Sequence, residues 1–219
     1  DAALVSKFTK DRYSLCWQPR EADRNIREQI LEIAKDHKSD LLVMGYHGRK
    51  GPKEDGTLLG SVASHSVYYS PCSIAIIKQD KSRDNHPDGF SWLVCVDGSN
   101  HSEFAYNKVI SLMKKNKDKV TCIIVRNETE QAGAFLENVE NAYRQKFIDD
   151  GVDGEFTILN KEGSIPKTIL GYLAEVERDP DFVSCASYGL GHHTGSLLGS
   201  VAQSLIQKAK YNILCCKKQ

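Results

Sequence analysis

Two segments carry residue types that could do chemistry together. The first is Val96-Asp97-Gly98-Ser99, where an apolar run ends in a carboxylate and a turn. The second runs Ala186-Ser187-Tyr188-Gly189-Leu190-Gly191-His192-His193-Thr194-Gly195-Ser196-Leu197-Leu198-Gly199-Ser200, a glycine-rich loop that leads into a helical pattern. Glycine lets a backbone amide approach a phosphate oxygen with no Cβ in the way. A helix opening at Gly199-Ser200 adds unsatisfied N–H groups and the positive end of its dipole, and both favour an anion. A carboxylate at a neighbouring strand end is the acceptor that a ribose hydroxyl needs. Together the segments fit a nucleotide, its sugar toward Asp97 and its phosphates over the glycines. The same residues equally fit a plainer arrangement: glycines in a turn, Ser200 as a helix N-cap and Asp97 as a turn former. Neither G-x-x-x-x-G-K-[ST] nor G-x-G-x-x-G is present to decide between them.

For the two segments to meet, each must follow a parallel strand, since ligands of open α/β sheets bind beyond the carboxyl ends of the strands. The pattern from Phe90 onward predicts this. Trp92 to Val96, Val120 to Val125, Glu155 to Leu159, Phe182 to Ala186 and Asn212 to Cys216 read as five strands. Between them, helices are expected from about Ser102 to Lys115 (Ala105, Val109 and Leu112 inward), along Phe135, Val139, Ala142, Tyr143 and Phe147, along Ile165, Ile169, Leu173 and Val176, and from Ser200 to Lys210 (Val201, Leu205 and Ala209 inward). Five strands alternating with four helices imply a parallel sheet covered on both faces.

Part of this unit occurs twice. Leu58-Leu59-Gly60-Ser61-Val62-Ala63 returns as Leu197-Leu198-Gly199-Ser200-Val201-Ala202 at an offset of 139 residues, and Ser73 to Lys78 meets Asn212 to Lys217 at the same offset. Ile26, Ile30 and Leu31 meet Ile165, Ile169 and Leu170, again at 139, whereas Asp40 to Gly45 meets Asp181 to Ala186 at 141, so the first loop is two residues longer. The earlier copy offers a strand candidate at Tyr13 to Trp17 and a helix from about Glu21 to Lys38, with Ile26, Ile30 and Ile33 on its inner side. A strand at Leu41 to Met44, a glycine-rich loop, a helix from Ser61 and a strand at Ile74 to Ile77 follow. Before its loop it has no room for one strand, one helix and one further strand. The expected division is therefore a partial copy at 1–78, a linker at 79–90 ending in Pro-Asp-Gly, and a complete copy at 91–219. The last strands of the copies, Ile74 to Ile77 and Ile213 to Cys216, would be exposed apolar edges unless they pair, within one chain or between two. Pairing within the chain is expected.

These features resemble the universal stress proteins. That family carries a G-x2-G-x9-G-[ST] pattern between its fourth strand and fourth helix and an Asp at the end of its first strand. Here Gly189, nine residues and Gly199-Ser200 match, Ala186 stands for the leading Gly, and Asp97 in Val-Asp-Gly-Ser matches the strand-end Asp. The resemblance covers the whole second copy and the first from about residue 13. It implies a flavodoxin-like or Rossmann-like sheet and an adenine nucleotide, ATP or AMP, with or without Mg²⁺. It also implies pairing through the last strands, as an intrachain pseudo-dimer or a homodimer. The nucleotide-binding set it implies is Val96, Asp97, Gly98, Ser99, Val125, Ala186, Gly189, Gly199, Ser200 and Val201. Gly45, Gly48, Gly60 and Ser61 make a candidate second phosphate loop, but Gly48 and Gly60 are separated by eleven residues rather than nine and no strand-end Asp precedes them. One competent site per chain is expected, in a stress-responsive regulatory module with at most slow ATP hydrolysis. The alternatives are a nucleotide-hydrolysing or adenylyl-transferring enzyme on a related sheet, for which only His192 and His193 are catalytic candidates, and a scaffold without nucleotide.

The remaining groups read plainly. His47, His192 and His193 are solvated loop histidines rather than zinc ligands, since no converging set of Cys, His or carboxylate accompanies them. Arg49, Lys50 and Lys53 face water or phosphate. Adjacent Cys215 and Cys216 on one strand point to opposite faces. Tyr68 and Tyr69 cover a helix end or an interdomain contact. With 29 Lys plus Arg against 29 Asp plus Glu, the chain has no net charge, which argues against nucleic acid and acidic membranes as partners. The hydrophobic fraction of 40% suits an ordinary globular protein. No apolar run approaches a membrane span. The chain starts at Asp1 with neither Met nor signal segment and its seven cysteines show no C-x-x-C, so the expectation is a trimmed piece of a cytoplasmic protein in a reducing compartment.

Overall fold

Short runs rich in Val, Ile, Leu and Cys, such as Ser73 to Ile77, Phe182 to Ala186 and Asn212 to Cys216, carry apolar side chains on both pleats, and such strands need cover on both faces. In the computed structural model, which describes residues 25–48, 59–81, 83–126, 133–190 and 197–218, they join one sheet. The elements are α1 (Ile26–Asp36), β1 (Leu41–Gly45), α2 (Ser61–Tyr69), β2 (Ser73–Ile77), β3 (Ser91–Cys95), α3 (Asn100–Leu112), β4 (Lys119–Arg126), α4 (Gly133–Asp150), β5 (Asp153–Asn160), α5 (Ile165–Glu175), β6 (Phe182–Ala186), α6 (Ser200–Lys208) and β7 (Asn212–Cys216). The strand order is β1-β2-β7-β6-β3-β4-β5. The candidate strand Tyr13 to Trp17 and the start of the helix expected from Glu21 lie outside the described residues.

Every neighbouring pair is parallel except β2 and β7, which run antiparallel with Ile74 opposite Cys215 and Ile76 opposite Ile213. The last strands of the two copies thus pair inside one chain. One face of the sheet packs α2, α5 and α6 through Val67, Ile169 and Leu205, and α1 lies beside α2 as α5 lies beside α6. The other face packs α3 and α4 through Tyr106, Val109, Tyr143 and Phe147. Cys215 belongs to the first face and Cys216 to the second, as their adjacency on a strand requires. Leu112 and Ile26, both expected inward, are 36% and 39% exposed. In α1 the deeply buried positions are instead Gln29 and Ala34.

The junction of the copies is closed by matching contacts. Lys78 Nζ donates to the carbonyls of Ile206 and Ala209, each at 2.6 Å, at the C-terminal end of α6. Lys217 Nζ donates to those of Tyr68 and Ser70, at 3.0 and 3.2 Å, at the end of α2. A cation at a helix C-terminus meets the negative end of the dipole and otherwise unpaired carbonyls. Asn212 Oδ1 accepts from Lys78 N–H and Gln79 N–H, at 2.8 and 2.9 Å, and Ser73 Oγ accepts from Lys217 N–H at 3.2 Å.

The described residues of the expected linker, 79–81 and 83–90, form a strap. Two buried carboxylates hold it. Asp118 receives both Arg83 guanidinium nitrogens at 2.7 and 2.8 Å, Phe90 N–H at 2.9 Å, Lys114 N–H at 3.0 Å and Trp92 Nε1–H at 3.3 Å. Asp181 meets Lys81 at 3.2 Å, His86 at 3.1 Å and Ser91 N–H at 2.8 Å. Burial acts to raise the Asp118 carboxyl, but its hydrogen bonds, that of Arg83 foremost, outweigh this and hold it at about 2.

Candidate functional site

The carboxyl ends of β3, β4 and β6 and the start of α6 surround a cleft of about 210 Å³. Its floor is apolar: Val96 closes β3, Val125 lies near the end of β4, and Ile165 and Ile169 come from the first turns of α5. Asp97 lines the cleft together with Ala186, Gly189, Gly199, Ser200 and Val201. Eight of the ten residues expected at the site therefore line one cleft. Gly98 and Ser99 stand behind it.

Those two build the turn that aims Asp97. Gly98 has φ +81°, a left-handed value that costs glycine little, and a Cβ there would lie 2.7 Å from Phe135 Cζ. Ser99 is the N-cap of α3, its Oγ accepting Ser102 N–H at 3.1 Å. Asp97 Oδ1 accepts Ser99 N–H at 3.0 Å, and Asp97 Oδ2 accepts Leu190 N–H at 2.8 Å. The carboxylate thus spans from the end of β3 to the loop after β6. Gly189 makes the approach possible, because a Cβ on it would collide with Asp97 Oδ2. Each carboxylate oxygen can accept a second hydrogen bond.

The loop closes by Gly199 N–H to Ser187 O at 2.7 Å. Gly199, not Ser200, is the N-cap of α6, with no side-chain cap bond, and Ser200 is the first helical residue. The N-cap expected of Ser200 is thereby corrected: the close packing of Gly199 on Ser187 O, 3.2 Å from where its Cβ would stand, sets the helix start one residue earlier. In the first copy, Gly60 N–H bonds Tyr46 O at 2.9 Å in the same way, and Gly60 caps α2 without a side chain. By contrast α1, α3 and α5 carry the side-chain caps Asn25, Ser99 and Ser164. Among the described residues, the helices that follow the two glycine loops lack a side-chain N-cap bond, and first-turn N–H groups of such a helix suit an anion. Gly45 ends β1, Gly60 and Ser61 open α2, and Gly48 N stands 3.7 Å from a Cβ built on Gly60. These four come together, but among the described residues no strand on the outer side of β1 brings a carboxylate to them.

Tyr188 and Leu190 of the loop also line the cleft, as do Cys95, Cys185, Ser102, Ile123, Ile124 and Ala202, which were not expected there. The helix α5 could have been found, since the helix entering the strand before the loop must lie over that strand end. The thiols read only as core residues. Burial, and secondarily the Asp97 charge, push Cys95 up to about 12, and the Cys215 hydrogen bond with burial raises Cys185. Both remain thiols at neutral pH. His192, His193, Arg49, Lys50 and Lys53 lie outside the described residues. Among the described ones no group of three or more His, Cys, Asp or Glu suits a metal ion, and no helix is long and apolar enough to cross a membrane.

Comparison with known proteins agrees with this architecture. The family model described as Universal stress protein family matches residues 15–78 and 92–217. A Staphylococcus saprophyticus protein assigned to the universal stress proteins is 25% identical over 142 residues, covering 59% of this chain and 84% of its own. The crystal structure of a universal stress protein from Archaeoglobus fulgidus superposes with a TM-score of 0.65 at 23% identity, covering 88% of this chain and 67% of that one. An Arabidopsis thaliana universal stress protein solved with AMP bound is a weaker likeness, with a TM-score of 0.45, 16% identity and coverage of 59% and 92%. A glycine loop and strand-end carboxylate facing one cleft, repeated in part across an antiparallel junction and matched in two segments over most of its length, place this chain in the universal stress protein family.

Proposed function

We propose that the chain binds one adenine nucleotide, ATP or AMP, in the cleft of its complete copy and serves as a stress-responsive regulatory module. The observation that carries this reading is the span of Asp97 from the end of β3 to the Leu190 N–H across the cleft. An acceptor for ribose hydroxyls then faces glycines and a helix start without a side-chain cap, which suits phosphates. The apolar floor of Val96, Val125, Ile165 and Ile169 suits a base. Ala186 places a methyl at the loop entrance, which weakens binding without closing the cleft. If Mg²⁺ accompanies ATP, its ligands are phosphate oxygens and water. Mass spectrometry of the purified full chain under native conditions tests the reading. A co-purified adenine nucleotide, or uptake of one from millimolar ATP or AMP, is expected. A chain that takes up neither would overturn it.

A further inference from the structure

The loop that carries the glycines of the complete copy depends on hydrogen bonds for its shape. Leu198 is buried, but Leu190 and Leu197, the described residues nearest the middle of the loop, are 61% and 46% exposed. Their side chains therefore do not hold the backbone there. Among the described residues, three hydrogen bonds tie it. Leu190 N–H donates to Asp97 Oδ2 at 2.8 Å, Gly199 N–H donates to Ser187 O at 2.7 Å, and Tyr188 Oη donates to Leu197 O at 2.7 Å. The last of these joins residues nine positions apart, the entry of the loop to its exit. Gly199 packs against the same entry, so closely that a Cβ built on it would lie 3.6 Å from Tyr188 Cα.

We infer that Tyr188 is a positioning residue for the phosphates: its hydroxyl ties the exit of the glycine loop to the entry and sets the backbone leading into α6 before nucleotide arrives. The inference rests on the nucleotide reading and adds how the phosphate half of that site is organised in advance. Ser187 and Tyr188 are neighbours, and each holds a different residue of the exit. Two such bonds fix an orientation that one bond leaves free to pivot. Backbone already fixed in the free protein does not have to be ordered when the ligand binds, and affinity is higher for it. The Tyr188 bond involves none of Val96, Asp97 and Val125, the residues proposed to meet base and ribose, so its effect is confined to the phosphates. The first copy keeps the backbone tie, Gly60 N–H to Tyr46 O. At the position of Tyr188, 141 residues earlier, it has His47, whose imidazole stands edge-on to the Tyr46 ring with centroids 4.6 Å apart and which has no hydroxyl to offer.

Tyr188→Phe in the full chain keeps the ring, deletes the hydroxyl and tests this. Equilibrium dialysis is expected to show ATP and AMP weakened by a common factor of about three to ten, with adenosine affinity unchanged. In the ligand-free variant the Gly199 amide is expected to exchange with solvent several-fold faster than in the parent, while the Val183 and Cys185 amides of β6 keep the parent rate. Nucleotide affinities equal to the parent's would overturn the inference. So would an equal loss for adenosine, the mark of a merely structural role, or a loss for ATP alone, which would make the hydroxyl a direct ligand of the outer phosphates. An unchanged Gly199 exchange rate would also overturn it, since the hydroxyl would then act only on bound ligand. Each of these results leaves the nucleotide reading standing, whereas a parent chain that binds none of the three ligands overturns that reading and this inference with it.

Discussion

Lys78 and Lys217 stand 139 positions apart and each caps the last helix of the other copy, Lys78 on Ile206 and Ala209, Lys217 on Tyr68 and Ser70. The exchange is possible because β2 and β7 run antiparallel, so the residue after each strand emerges at the far end of its neighbour's helix. Replacing either with Met keeps the apolar stem and leaves two carbonyls and a dipole end without a cation. Each variant is expected to lose about 1–2 kcal/mol of stability in urea denaturation. Variants as stable as the parent would show that the caps are ornamental.

Gly189 and Asp97 form a second dependent pair. Gly189→Ala puts a methyl where Asp97 Oδ2 now lies, so the carboxylate must turn away from Leu190 N–H. A charge-assisted hydrogen bond is worth about 1.5–3 kcal/mol. Nucleotide affinity is expected to fall by roughly tenfold or more, with the fold retained by circular dichroism.

Ala186→Gly is expected to do the reverse. Removing the methyl at the loop entrance lets the backbone and the nucleotide approach, and a several-fold gain in affinity for ATP is predicted by equilibrium dialysis. Unchanged affinity would mean that Ala186 lies clear of the bound ligand.

The strap gives a prediction in acid. The folded Asp118 carboxyl, held at about 2, lies below the ordinary carboxylate value of about 3.9. Its contribution to stability is therefore complete above pH 4 and is lost as the pH falls through 2. In chemical denaturation the stability difference between the parent and Asp118→Asn should shrink steadily over that window. A difference that does not change with pH would contradict the role given to Asp118. Arg83→Met, which removes its principal partner and leaves a buried charge, is expected to cost about 3–5 kcal/mol at neutral pH.

Most of the sheet was legible because buried strands announce themselves as continuous apolar runs: Phe182 to Ala186 and Asn212 to Cys216 are strands at those limits. Of the candidate site, the resemblance pointed to Asp97, Gly189 and Gly199, and these line one cleft. What escaped reading depends on long-range contacts. That the strap is fastened by Asp118 and Asp181 could not be seen, since nothing local distinguishes those carboxylates from surface ones. The entry of Ile165 and Ile169 into the cleft was missed, although the order of elements, with α5 leading into the strand before the loop, could have shown it. The exposure of Ile26 reflects which neighbours α1 has, not its own periodicity.

The central claim is a single nucleotide site per chain, located in the complete copy, and calorimetric titration of the full chain with ATP tests it most directly. The account predicts one equivalent of nucleotide bound, abolished or strongly weakened by Asp97→Ala and unaffected by Gly60→Ala in the first loop. Two equivalent sites, or no binding at all, would contradict it.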